Sequence, residues 1–281
     1  MNAGESMQPD SGLSGTRTSA LHLWCAYPDD LLQAEAAHAC AALLSDEERA
    51  RWQRFRFEHG RRQYLATHAL ARTALSRYCG IAPGELRFAA NRYGKPALEP
   101  DCGLRFNLSN SAGLVVCLIA EEAVEVGVDV EPFTRADQIT NVGHRVFSPA
   151  ERAQLEALPP AEMLNRNLSL WTLKEAYVKA RGVGISLSLD KISFLFKGGN
   201  KVRLELDPSL GDDPERWRFR LLDYAEHRIA WMAEGAIERE LEIWEARPPL
   251  ATPRRVKAEA SSRGVQTKAG LHQRDVKGGQ G

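Results

Sequence analysis

Three carboxylates and one lysine hold the clearest chemical possibility in this chain. In Glu121-Glu-Ala-Val-Glu-Val-Gly-Val-Asp-Val-Glu-Pro132, valines at 124, 126, 128 and 130 alternate with Glu125, Gly127, Asp129 and Glu131. A period of two predicts a strand with the valines packed inward, ended by Pro132. Asp129 and Glu131 then leave the same face, about 7 Å apart. Two such acids repel unless a cation or a base lies between them. Gly127 leaves open space beside Asp129, where a ligand could approach the backbone. An exposed strand face studded with acids explains this segment equally well. Further on, Trp171, Glu175 and Lys179 recur every fourth residue, which puts them on one face of a predicted helix. Taken alone, that spacing also fits a solvated Glu–Lys pair. Gly182 and Gly184 read more naturally as a helix stop than as a phosphate loop.

The first part of the chain is basic where the second is acidic. Arg49, Arg51, Arg54, Arg56, Arg61 and Arg62 crowd one stretch, interleaved with Trp52, Phe55 and Phe57. Tyr93-Gly-Lys-Pro96 adds Lys95 in a rigid turn, and Phe106-Asn-Leu-Ser-Asn-Ser111 offers small polar groups at a strand end. Guanidinium forks suit phosphate oxygens, although a solvated helix face would carry the same residues. Together, cations on one side and hard oxygen donors on the other suit a phosphorylated, multiply anionic substrate held with Mg²⁺.

Positioning these groups requires a scaffold, and the chain repeats one. Ser45-Asp-Glu-Glu-Arg49 matches Ser148-Pro-Ala-Glu-Arg152; both read as helix N-caps with acids in the first turn. A long helix follows each, stopped at Gly80 and at Gly182. Short strands and strand pairs come next in both passages. The order predicts an α+β protein of two similar halves, a pseudo-dimer with the active site in the cleft between them. The expected segments are a disordered leader over 1–20, an N-terminal half over 21–123, a C-terminal half over 124–246 and a basic disordered tail over 247–281.

Composition narrows the function classes. Lys plus Arg and Asp plus Glu both number 37, for zero net charge, which argues against a nucleic-acid coat protein. The apolar run Gly113 to Ala120 is far short of the ~20 residues that span a bilayer, and no secretory leader is expected at the N-terminus. The five cysteines, Cys25, Cys40, Cys79, Cys102 and Cys117, form no metal or disulfide spacing, as in a reducing cytoplasm. No G-x-x-x-x-G-K-[ST] loop occurs, which weighs against a nucleotide phosphotransferase of that kind.

Gly127-Val-Asp-Val-Glu131, followed by Trp171-Thr-Leu-Lys-Glu-Ala-Tyr-Val-Lys179 and Gly182-Val-Gly184, resembles the signature pair of the 4′-phosphopantetheinyl transferases. Gly94-Lys-Pro96 and Phe106-Asn-Leu-Ser109 strengthen the likeness, and the doubled organisation resembles the single-chain Sfp-type branch. The resemblance spans about Leu21 to Trp244. It implies transfer of 4′-phosphopantetheine from coenzyme A to a serine of an apo acyl or peptidyl carrier protein, with Mg²⁺ as cofactor and a monomeric, cytoplasmic enzyme. By position, Asp129, Glu131 and Glu175 match the family's metal-binding acids, with Glu175 also matching the proposed base. Lys179 matches a lysine that meets the α-phosphate and helps the leaving group. Lys95, Ser109 and Asn110 match coenzyme contacts, with Asn110 standing where the family has histidine; Arg51 or Arg62 would take the 3′-phosphate. Asparagine donates a neutral hydrogen bond but carries no charge. A non-catalytic binder of coenzyme A or of a carrier on the same fold is the other reading.

Overall fold

The computed structural model describes residues 20–122, 124–184, 187–198, 201–235, 240–247 and 253–256. Its first half runs β1 (Leu21–Ala26), α1 (Ala34–Ala42), α2 (Asp46–Gln53), α3 (Glu58–Cys79), the hairpin β2 (Phe88–Ala90) and β3 (Pro96–Leu98), then β4 (Arg105–Ser111) and β5 (Leu114–Ala120). The second half follows the same itinerary: β6 (Val126–Pro132), α4 (Ala136–Val146), α5 (Pro149–Glu156), α6 (Pro160–Arg181), β7 (Ile192–Phe196), β8 (Val202–Leu206), β9 (Trp217–Tyr224) and β10 (His227–Glu234). β11 (Leu241–Glu245) and β12 (Arg254–Val256) complete the described chain. The α+β class and the doubled organisation are as expected from the sequence.

Local chemistry explains the match between halves. Ser45 and Ser148 both close a reciprocal box: each serine hydroxyl accepts from the N–H of the glutamate three residues on, and that carboxylate accepts from the serine N–H. Glu48 and Glu151 then serve a second purpose. Arg72 donates to Glu48 at 2.7 Å and to the carbonyls of Pro83 and Leu86. Lys174 lies 2.7 Å from Glu151 and donates to the carbonyls of Leu189 and Ile192. Each buried cation thus ties the cap, the long helix and the following loop together, which is the pairing a buried charge requires. The two long helices have 22 residues each and end on glycines in the left-handed region, Gly80 at φ 68° and Gly182 at φ 60°.

The strands form two main sheets, ordered β12-β11-β1-β5-β4 and β6-β10-β9. β11, expected in the C-terminal half, instead pairs parallel with β1 in the first sheet. Every residue of β1 is buried, so both of its edges need backbone partners; β5 supplies one and β11 the other. The basic tail also begins differently from expectation. Residues 254–256 form an edge strand on β11, because Arg255 meets Glu242 at 2.8 Å and Arg254 lies 3.6 Å from Glu245. The rest of that tail and nearly all of the leader lie outside the described residues.

β6 sits at the centre. Its valines 126, 128 and 130 pack with Leu23, Val116 and Trp231 in a core between the two sheets. Its other face, with Gly127, Asp129 and Glu131, turns to α6. A Cβ on Gly127 would lie 2.1 Å from the Ala176 carbonyl oxygen and 2.4 Å from the Ala180 nitrogen. The space beside Asp129 is therefore filled by helix backbone, not left open for a ligand. Close approach of α6 is what carries Glu175 and Lys179 to the acids on β6. From the other side, β4 serves β6 with side chains: Val128 N–H donates to Asn107 Oδ1 at 2.9 Å and Val130 N–H to Ser109 Oγ at 3.3 Å.

Candidate active site

The joint between the halves concentrates charge. Asp129 Oδ1 accepts from Lys179 Nζ at 2.6 Å and from Ser109 Oγ at 3.0 Å, and Lys179 also donates to Ser109 at 2.8 Å. Glu131 Oε1 accepts from Trp171 Nε1 at 2.9 Å and from Arg135. Both acids are buried. Their remaining oxygens, Asp129 Oδ2 and Glu131 Oε2, are buried without a hydrogen-bond partner. An orphaned carboxylate oxygen in the interior is costly.

Glu175 stands on α6 midway between Trp171 and Lys179. These three are partly exposed, while the α6 residues between them are buried, so one stripe of the helix stays open. Burial, with the Asp129 charge next, pushes the Glu175 carboxyl above its ordinary range. Glu131 is raised for the same two reasons, opposed by Arg135. Three acids on facing elements, two of them with unfilled oxygens, form a hard-oxygen donor set suited to a small divalent cation. Among the described residues, no three His, Cys, Asp or Glu side chains are already gathered as a ready cation cage; Lys179 and Arg135 each engage one acid instead.

The other residues singled out in the sequence have these places. Lys95 donates to Glu125 Oε2 at 2.5 Å and to the Ala180 carbonyl at 2.8 Å, while Asn91 Nδ2 reaches the Gly182 carbonyl at 2.8 Å. The Gly-Lys-Pro turn thus holds the C-terminal end of α6, and burial lowers the pKa of Lys95. Asn110 is exposed and accepts from Gln63 at 2.9 Å. Arg51 is exposed, 5.8 Å above the Tyr64 ring. Arg62 faces Asp29 at 3.8 Å. The structure therefore brings Ser109, Asp129, Glu131, Glu175 and Lys179 to the β6–α6 junction, places Asn110 next along β4 from Ser109, holds Lys95 at the end of α6, and gives Arg51 and Arg62 other partners.

Three participants were missed. Gln63 lay unnoticed inside the basic run. Arg135 follows Glu131 by four residues, but Pro132 broke the period that would have flagged it. Asn107 was passed over as one of several small polar groups.

Comparison with known proteins bears on this site. The 4′-phosphopantetheinyl transferase superfamily model matches residues 125–232, and a 4′-phosphopantetheinyl transferase N-terminal model matches residues 32–123. The transferase HetI of Nostoc sp. is 33% identical over 195 residues, covering 67% of this chain and 79% of that protein. A Bacillus subtilis 4′-phosphopantetheinyl transferase is 30% identical over 186 residues, covering 66% and 81%. A solved holo-(acyl-carrier-protein) synthase of Bacillus anthracis in complex with CoA is 19% identical, with a TM-score of 0.35, over 40% of this chain and 96% of that one. On the relatives' identity and coverage, with both stretches of the chain matched by family models, this chain belongs to the 4′-phosphopantetheinyl transferase family.

Proposed function

We propose that the chain transfers 4′-phosphopantetheine from coenzyme A to a serine of an apo carrier protein and releases 3′,5′-ADP. The observation that carries this reading is the acid–lysine face where β6 meets α6, with Asp129 Oδ2 and Glu131 Oε2 unpartnered in a buried site. Those two oxygens and Glu175 fit Mg²⁺ by donor type and by need. When bound there, the ion would neutralise charge on the pyrophosphate oxygens.

In the reaction, the serine oxygen bonds to the β-phosphorus, and the bond from that phosphorus to the bridging oxygen breaks toward 3′,5′-ADP. Glu175 takes the serine proton. Its upward pKa shift makes it a better proton acceptor than an ordinary carboxylate. Lys179, fixed by Asp129 and Ser109, sets a cation where the α-phosphate gains charge. Ser109 and Asn110 line the coenzyme side, and Lys95 orients the end of α6 beside it. For the 3′-phosphate, Arg51 is the assigned arginine, from its exposed seat over Tyr64; Arg62 faces Asp29 and the crevice under α1 instead.

Each half supplies one wall of the cleft, which supports a monomer. No helix among the described residues is long and apolar enough to cross a membrane, and we place the enzyme in the cytoplasm on its cysteine pattern. The experiment is a panel of purified apo carriers from fatty-acid, polyketide and nonribosomal-peptide synthases, incubated with the chain, coenzyme A and Mg²⁺. A phosphopantetheine mass gain on at least one carrier is expected. Coenzyme A binding by calorimetry with no gain on any carrier would favour the non-catalytic reading instead.

A further inference from the structure

Between α1, α2 and the start of α3 lies a cavity of about 670 Å³, well within the range of small-molecule sites. Leu31, Ala37, Ala41, Trp52 and Leu65 give it apolar walls. Arg49, Arg61 and Arg62 also line it, against a single acid, Glu58.

These cations are weakly committed. Arg62 has Asp29 at 3.8 Å, an acid whose side chain is 72% exposed. Arg61 lies 3.3 Å from Glu58 at the surface and 5.3 Å from the Trp52 ring centre. Arg49 gives one donor to the Leu44 carbonyl at 3.2 Å. Exposed ion pairs of this kind hold little free energy. Meanwhile the Nε of Arg49, the Nε of Arg62 and the Trp52 Nε1 are buried without a hydrogen-bond partner.

The second half treats the corresponding crevice differently. Counting from the starts of the two long helices, Met163 takes the place of Arg61 and Leu164 that of Arg62. Met163 packs on the core of Ile139, Phe147 and Leu155. A crevice that only had to be closed would be filled with apolar side chains in both halves. In the first half it stays open and is lined with guanidinium groups.

We propose that this cavity binds a small amphipathic anion, its apolar body against Leu31, Ala37 and Leu65 and a single carboxylate or phosphate head among Arg49, Arg61 and Arg62. The concave shape, enclosed by three helices, favours a small molecule over a protein surface. Gln63, which reaches Asn110 beside the acid cluster, leaves α3 on a different face from Arg62 and Leu65, so the two sites are separate.

Calorimetry on the full chain tests this with decanoate, decyl phosphate and uncharged decanamide, each below its aggregation concentration. At least one anion should bind about tenfold tighter than decanamide. Arg61→Met and Ala37→Leu should each weaken that anion about tenfold, while Arg61→Lys retains most of the affinity and carrier modification is unchanged in all three. If Ala37→Leu does not fold, the Arg61→Met and Arg61→Lys pair decides. Equal binding of anions and decanamide would overturn the proposal. So would wild-type affinity in Arg61→Met, or binding only by an acidic amphipathic peptide.

Discussion

The two halves share a frame but not a chemistry. On the β6 face toward α6 stand Asp129 and Glu131; on the β1 face toward α3 stand Trp24 and Ala26, both in the first half's apolar core. Glu175 and Lys179 on α6 correspond to Thr73 and Arg77 on α3, counted from the helix starts. Trp24 donates to Tyr78 at 3.0 Å and stacks on Trp244 of β11, with Arg77 5.9 Å above its ring. The same strand–helix junction is therefore sealed with aromatic rings in one half and packed with carboxylates in the other. The caps, long helices and buried cations that fix the junction are common to both. A duplicated scaffold supplies the geometry, and a few side chains set the two junctions apart.

Substitutions at matched positions test that contrast. Glu175→Gln should lower carrier modification about 10²–10⁴-fold, as loss of a general base does, with circular dichroism and melting unchanged. Its counterpart Thr73→Val removes a buried hydroxyl that has no partner and should leave turnover within about twofold. A comparable loss from both would end the asymmetry.

Removing the buried cations probes the shared frame. Lys174→Ala strands Glu151, whose side chain is 0% exposed, and should cost about 3–5 kcal/mol in urea unfolding. Arg72→Ala should cost less, because Glu48 keeps His68 at 2.9 Å and is 13% exposed. The reverse order would show that the two anchors are not equivalent.

A smaller effect appears with pH. Burial raises the Glu48 carboxyl, but its bonds to His68, Arg72 and the Ser45 N–H outweigh that and hold it at about 2, against an ordinary 4.5. A carboxyl depressed on folding stabilises the native state above its unfolded pKa, and this contribution is lost as pH falls toward the folded value. Stability should therefore decline between pH 4.5 and about 2. The decline should be shallower in Glu48→Gln, measured by urea midpoints across that range; identical slopes would remove Glu48 as the cause.

What the sequence made legible was local or strictly periodic. Ser45 and Ser148 announced their helices because a capping box is closed within four residues. The valine alternation gave β6, and the spacing of Trp171, Glu175 and Lys179 gave the open stripe of α6. Non-local pairing was hidden. Nothing in Leu241–Glu245 says that it crosses back to β1, since a strand's partner leaves no mark in its own residues. Gly127 marks a close approach in the sequence, but only the packed structure shows that its missing side chain admits the backbone of α6 rather than a ligand. Arginine spacing showed a basic region but not where each guanidinium points, so Arg62 turned out to face Asp29 and the cavity beneath α1. Lys95 likewise was legible as a cation in a turn, but not as the brace between Glu125 and the end of α6.

On the function proposed above, Asp129, Glu131 and Glu175 seat a divalent cation at the joint between the halves. Titrating Mg²⁺ into the full chain by calorimetry, with coenzyme A present and in parallel with Asp129→Asn, tests it without relying on turnover. Saturable binding in the unaltered chain, weakened at least about tenfold by Asp129→Asn, is the expected result; equal Mg²⁺ affinity in both would contradict the account.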